Sequence, residues 1–166
     1  MLTYFRTAIV VLACTLATAC SGDDGTPFDP GISGNPPPAT DAQVVQLVDL
    51  VNDHRSGEGC GPLAWHTGAA DVALAHSADM RDRDFFSHTN PDGESPFDRM
   101  DAAGISWSGM AGENIAWGTG SGDVVFDMWI NSAGHRANIE NCSYTHHGVG
   151  LVDGRWTHLF LQNPTN

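Results

Sequence analysis

Lysine is absent from this 166-residue chain, and seven arginines carry all of its side-chain positive charge beside twenty aspartates and glutamates, a formal net charge of −13. A surface so short of cations cannot neutralise a phosphate backbone, which excludes nucleic acid as a partner, and an anionic membrane face repels it. The apolar stretch from Ala8 to Ala17 is too short to span a bilayer as a helix. The patterns H-E-x-x-H, G-x-S-x-G, the Walker loop and Cys-x-x-Cys are all missing, so no familiar catalytic motif announces an enzyme.

What is present begins with a leader. Arg6 is the only charged residue of the first nineteen, an apolar stretch follows it, and Leu16-Ala17-Thr18-Ala19-Cys20 closes the segment. Residues 1–19 read as a signal peptide cut before Cys20, either by ordinary signal peptidase at an A-x-A site or at a lipobox in which Ala17 stands where Leu is usual. Lipidation of Cys20 is the expectation, because a free N-terminal thiol on an exported protein would be reactive. The protein is then a cell-envelope lipoprotein; the alternative is a secreted, extracellular chain. Losing Arg6 takes the formal charge to −14. Cys14 leaves with the leader, and Cys60 and Cys142 remain. In an oxidising compartment they are expected to form one disulfide, worth up to about 4.5 kcal/mol on the chain-entropy account. Two unpaired buried thiols are the alternative.

Residues 20–39 read as a flexible tether: Ser21 to Ala39 holds nine Gly or Pro residues in nineteen, with Pro36-Pro37-Pro38 stiffening its end. Residues 40–166 are then one domain, and all five tryptophans fall in it. Thr40-Asp41-Ala42-Gln43 has the form of a capping box, followed by Val44, Leu47, Val48 and Val51 at helical spacing. A second helix is predicted from about Gly68 to Arg83, with Ala69, Val72, Ala73, His76 and Met80 on its inner stripe and His76 a hydrogen-bonded core residue. Ser95-Pro96-Phe97-Asp98 opens a third helix that Gly104 stops. Asp123 is read as the cap of a fourth, with Val125, Met128, Trp129 and Ser132 on one face and Gly134 ending it. Strands are predicted at Asn114–Trp117, His147–Val152 and Trp156–Leu161, the last two joined by the turn dipeptide Asp153-Gly154. Helices first and a hairpin last indicate α+β layers rather than an alternating parallel sheet.

The polar residues beside tight turns are His88 before Asn90-Pro91-Asp92-Gly93, Glu113 after Gly112, and His135 after Gly134. Each is a weak signal alone. The segments FFSHTNPDGESPFDRM, AGENIAWG, WINSAGHRANI and HHGVGLV, however, occur in the order and spacing of bacterial domains of the cysteine-rich secretory, antigen 5 and pathogenesis-related (CAP, or SCP-type) family. The chain resembles that family from roughly Gln46 to Gln162.

The resemblance implies a three-layer α-β-α sandwich whose central cavity gathers two histidines, here His88 and His135, and a glutamate, here Glu113. A second glutamate, usual after the fourth-helix tryptophan in animal and plant members, is missing, and the resemblance puts Ser132 in its place. Two imidazoles and one carboxylate could hold zinc or another divalent cation only weakly, and less so in acid; the alternative is a structural network in which Glu113 orients the histidines. No cofactor is required. A metal-free nucleophile would have to be Ser132 beside His135, where a helix C-terminal residue is the commoner role. His146, His147 and His158 are given packing or solvent-exposed roles, with His158 on the outer phase of its strand, and His54 and His66 fall near helix ends. Asn141-Cys142-Ser143 matches a glycosylation sequon but is discounted beside a bacterial-type leader and a bridged cysteine.

Three functions are weighed. The first is a non-enzymatic envelope module, a monomer, that binds a small ligand, a lipid or an envelope protein, as the resemblance allows. The second is a peptidase-like hydrolase using His88, Glu113 and His135 as catalytic residues. The third is a structural surface protein. Contact with a membrane is expected only through the lipid anchor.

Overall fold

The computed structural model describes residues 41–165, so the signal peptide, Cys20 and the tether lie outside the described residues. Helix α1 spans Ala42–Gly57 and buries Val44, Leu47, Val48 and Val51, as their spacing predicts. Its N-cap is Asp41, not Thr40: the Asp41 carboxylate accepts from the Gln43 amide at 2.9 Å, the bond that the second helical N–H requires. The two-residue strand β1 (Ala64–Trp65) leads into α2 (Thr67–Asp82), which starts one residue earlier than predicted because His66 Nδ1 caps it, accepting from Ala69 N at 3.0 Å. The predicted stripe of α2, His76 included, is buried. Helix α3 (Pro96–Ala102) has the full capping box of Ser95 and Asp98, and Gly104 follows it at φ +74.

The short β2 (Ser106–Trp107) precedes β3 (Ala111–Trp117). Where one helix was expected there are two, α4 (Gly122–Ile130) and α5 (Ala133–Ile139), so Gly134 lies inside α5 instead of ending α4. The break has a local cause. The Asn131 side chain donates to Asp127 O at 2.8 Å and Arg136 Nη1 to Ile130 O at 3.0 Å, closing the last carbonyls of α4. Ser132 is accordingly the N-cap of α5 and not a helix C-terminal residue. The N-cap position of α4 is Ser121, whose hydroxyl donates to Asp123. Met128, expected on the inner face with Val125 and Trp129, is exposed.

Strands β4 (His146–Val152) and β5 (Arg155–Leu161) form the predicted hairpin, with Asp153 and Gly154 both at positive φ, as a type I′ turn demands. The sheet order is β1-β4-β5-β3, with β1 parallel to β4 and the other pairs antiparallel, while β6 (Pro164–Thr165) pairs with β2. Helix α2 covers one face: a Cβ on Gly148 would lie 2.2 Å from Ala70 N, and one on Gly150 2.2 Å from Leu74 N, so only glycine permits this approach. Helices α1, α4 and α5 cover the other face over Val149, Trp156 and Phe160. This is the expected three-layer α-β-α arrangement. With both faces covered, β5 has no solvent phase, so His158 is buried rather than outward. Cys60 and Cys142 are disulfide-bonded across a separation of 82 residues. Among the described residues, no helix is long and apolar enough to cross a membrane.

Candidate functional site

The segment between α2 and α3 is folded by Asn90. Its Oδ1 accepts from the amides of Asp92 and Glu94, and its Nδ2 donates to Glu94 Oε2 at 2.8 Å. Gly93, at φ +88, completes the turn. Beneath it, His76 Nε2 donates to Ser87 O at 3.0 Å, fixing the backbone next to His88, and burial followed by the nearby Arg99 charge holds His76 below the usual imidazole range.

Arg99, one turn into α3, clips this loop and the sheet together. Its Nη1 donates to His88 O at 2.9 Å and to Glu94 O at 3.0 Å, while Nη2 donates to Glu113 Oε2 at 2.7 Å. The other oxygen of Glu113 pairs with His88 Nδ1 at 2.7 Å. Both carboxylate oxygens are therefore engaged on a side chain that is 2% exposed, whereas the His88 side chain is 52% exposed. A carboxylate holding Nδ1 in this way fixes the imidazole's orientation.

Register explains how His135 arrives. In β3, the edge strand, Glu113 stands opposite Leu159 on the α2 side, and Asn114 stands opposite His158 on the other. Asn114 Nδ2 donates to His135 O at 3.0 Å, and its Oδ1 accepts from Asn138 Nδ2 at 2.8 Å, tying α5 to the strand. Gly112 lets α5 come close, since a Cβ there would lie 2.6 Å from the Tyr144 hydroxyl and 3.0 Å from Asn138 Oδ1. His135 titrates below the usual range because it is partly buried and because His88 lies near it. Its Nδ1 is buried without a hydrogen-bond partner.

His88 and Glu113 are thus joined directly, and His135 lies near His88. Among the described residues, the group whose possible ligand atoms all lie within 4.8 Å of one another is His54, Glu58 and Glu140. A cation beside Glu113 would also have to compete with the Arg99 guanidinium. No hydrogen bond among the described residues joins a hydroxyl to the ring of His88 or His135, Ser132 included. A cavity of about 180 Å³ lies elsewhere, between α1 and α2 along β4, lined by Val44, Trp65, Leu74 and Leu151 with Asp41 and Asp71.

Three functional features escaped sequence reasoning. Arg99 lies inside a quoted segment, but nothing in the sequence shows that it reaches both the loop and β3. Asn114, next to Glu113 in the G-E-N triplet, could have been found from strand alternation, which sends neighbours to opposite faces. The third is a buried histidine pair, His147 Nδ1 to His158 Nε2 at 3.0 Å, packed against Trp65 and Trp129. Burial pushes His147 down to about 3 and His158 well below its ordinary value.

Comparison with known proteins agrees with this architecture. Residues 48–162 match CAP, the cysteine-rich secretory protein family. The chain is 41% identical over 127 residues to the uncharacterized protein YkwD of Bacillus subtilis, covering 75% of this chain and 49% of that protein. It is 37% identical over 117 residues to the uncharacterized membrane protein YlbC of the same organism, covering 70% and 34%. The chain therefore spans half or less of these relatives' length. Among solved structures, an extracellular SCP-domain protein from Bacillus anthracis superposes with a TM-score of 0.69 at 39% identity, over 71% of this chain and 39% of that one. An outer surface protein from Borrelia burgdorferi superposes at 0.65 and 18% identity, over 73% and 92%, a likeness of fold alone.

Proposed function

Because the chain belongs to the cysteine-rich secretory protein (CAP) family, we propose that it is an exported binding module whose recognition surface is the pair His88 and His135 at the outer edge of β3. One observation carries this reading: both oxygens of the buried Glu113 are engaged at 2.7 Å, by His88 and by Arg99. The carboxylate acts as a bracket. With one charged or ring N–H partner on each oxygen it is placed to orient, and among the described residues no hydroxyl is hydrogen-bonded to either imidazole. What remains available is an oriented, half-exposed imidazole beside a second one, a hydrogen-bonding surface suited to recognition. Export through the leader, with Cys20 acylated, would hold this module at the envelope, in keeping with the extracellular SCP-domain protein of Bacillus anthracis.

Native mass spectrometry of the exported protein tests the reading. Wild type is expected to carry a small-molecule or protein adduct, and His88→Ala to lose it while its circular dichroism remains that of a folded chain, at a lowered melting temperature because one Glu113 oxygen loses its partner. Acylation adds a diacyl or triacyl mass at Cys20. Turnover of peptide or ester substrates by wild type, lost in His88→Ala, would instead establish the hydrolase reading, for which the carboxylate-oriented imidazole is the favourable feature.

A further inference from the structure

At the C-terminal ends of α1 and α5, His54, Glu58 and Glu140 offer one imidazole nitrogen and two carboxylate oxygens within 4.8 Å of one another. We propose that this cluster binds one divalent ion of the zinc type, a site separate from the pair His88 and His135.

His54 and Glu58 are four residues apart at the end of α1 and so lie on one face of that helix end. Glu140 comes from the C-cap of α5, and its Oε1 is 3.0 Å from His54 Nε2. A tetrahedral ion with ligands near 2.0 Å has ligand-to-ligand edges of roughly 3.3 Å, so this pair already stands close to a coordinating separation. Glu58, exposed, has a carboxylate oxygen within 4.8 Å of both and supplies the third protein ligand, leaving a fourth position for water.

The backbone that carries these ligands is braced without any ion. Arg55, adjacent to His54, donates through Nη1 to Ile139 O at 2.7 Å and to Asn141 O at 3.0 Å, the carbonyls on either side of Glu140. Cys142, two residues beyond Glu140, is bridged to Cys60, two residues beyond Glu58. The His54 ring is held edge-on by Phe126 at 5.9 Å. A site whose supports are fixed in advance loses little on binding.

The donor set selects the ion. One nitrogen and two oxygens suit zinc, whereas magnesium and calcium ask for about six or more oxygens. Two carboxylates balance a divalent charge, and the −13 chain draws cations to its surface. The cation that approaches Glu140 is Arg136, with Nε 3.9 Å from Oε2, a looser contact than the 2.7 Å pair Arg99 makes with Glu113.

The test is calorimetric titration of the chelator-stripped full chain with zinc chloride near neutral pH, with imidazole resonances followed in parallel on wild type. A zinc site is expected that is at least tenfold weaker in His54→Ala and in Glu140→Gln and persists in His88→Ala and His135→Ala. The His54 resonance should shift on titration, which keeps the test decisive if a variant fails to fold. Absence of binding with an unmoved His54 signal, or binding abolished by His88→Ala and retained in His54→Ala, would overturn the assignment.

Discussion

The buried imidazoles His147 and His158 bond to each other, and each has its second ring nitrogen buried without a partner. They must stay neutral to stay folded. Because burial depresses both, the folded chain binds fewer protons than the unfolded chain below the ordinary imidazole value of about 6.5. Their contribution to stability is therefore complete above that pH and is lost progressively as pH falls below it, for His147 down to about 3, at about 1.4 kcal/mol per pH unit for each histidine. His76, also depressed mainly by burial, adds to the same slope. Urea denaturation between pH 7 and 5 should show stability falling with acid by about two protons or more, and His158→Gln should reduce that slope by about one. A flat profile would mean that the pair is hydrated or already charged. In the sequence His147 and His158 looked like packing or surface residues, since strand alternation gives a phase but not whether both phases are covered. His88, Glu113 and His135 were legible because each lies in a segment with family-like spacing. Arg99 was not, because its partners are 5 to 14 residues away and meet it only once α3 docks on β3.

At the scale of elements, local signals placed most starts and stops and missed those decided by competition between side chains. The capping box of Ser95 and Asp98 and the turn at Asp153-Gly154 stand where the residues said they would. The division of α4 from α5 was invisible to periodicity, because Asn131 and Arg136 complete the carbonyls of α4 before Gly134 is reached. The packing of α2 on β4 is set by two glycines in alternate positions. Gly148→Ala would place a methyl 2.2 Å from the α2 backbone, which cannot yield as a side chain could. We expect it to cost about 3 kcal/mol or to prevent folding, an overpacking effect at the upper end of the usual range. Gly134→Ala, with nothing within 4 Å and a helical backbone, should stabilise by about 0.5–1 kcal/mol. Comparing the two by thermal denaturation separates close packing from backbone entropy; equal effects would show that the α2–β4 approach is looser than described.

Across the whole molecule, the α+β class and the layering could be read from element order and from the resemblance. The pairing of Cys60 with Cys142 followed from compartment and count. That bond joins the end of α1 to the segment after α5, and replacing both cysteines by serine should lower stability by up to about 4.5 kcal/mol without changing the fold, as unfolding by urea and circular dichroism would report. The sequence could not convey that the site forms around the outer edge of β3 while a cavity of about 180 Å³ opens on the far side, because that depends on which strand is left unpaired. The account of the site rests on Glu113 as the bracket that holds His88 and Arg99 in place. Equilibrium denaturation of Glu113→Gln at neutral pH decides this most directly. A bracket neutralised to an amide leaves Arg99, itself only 9% exposed, without its ion-pair partner, and the account predicts a loss of about 3 kcal/mol or more. A change within about 0.5 kcal/mol, the range of an ordinary surface substitution, would show that Glu113 does not brace the site and would contradict the account.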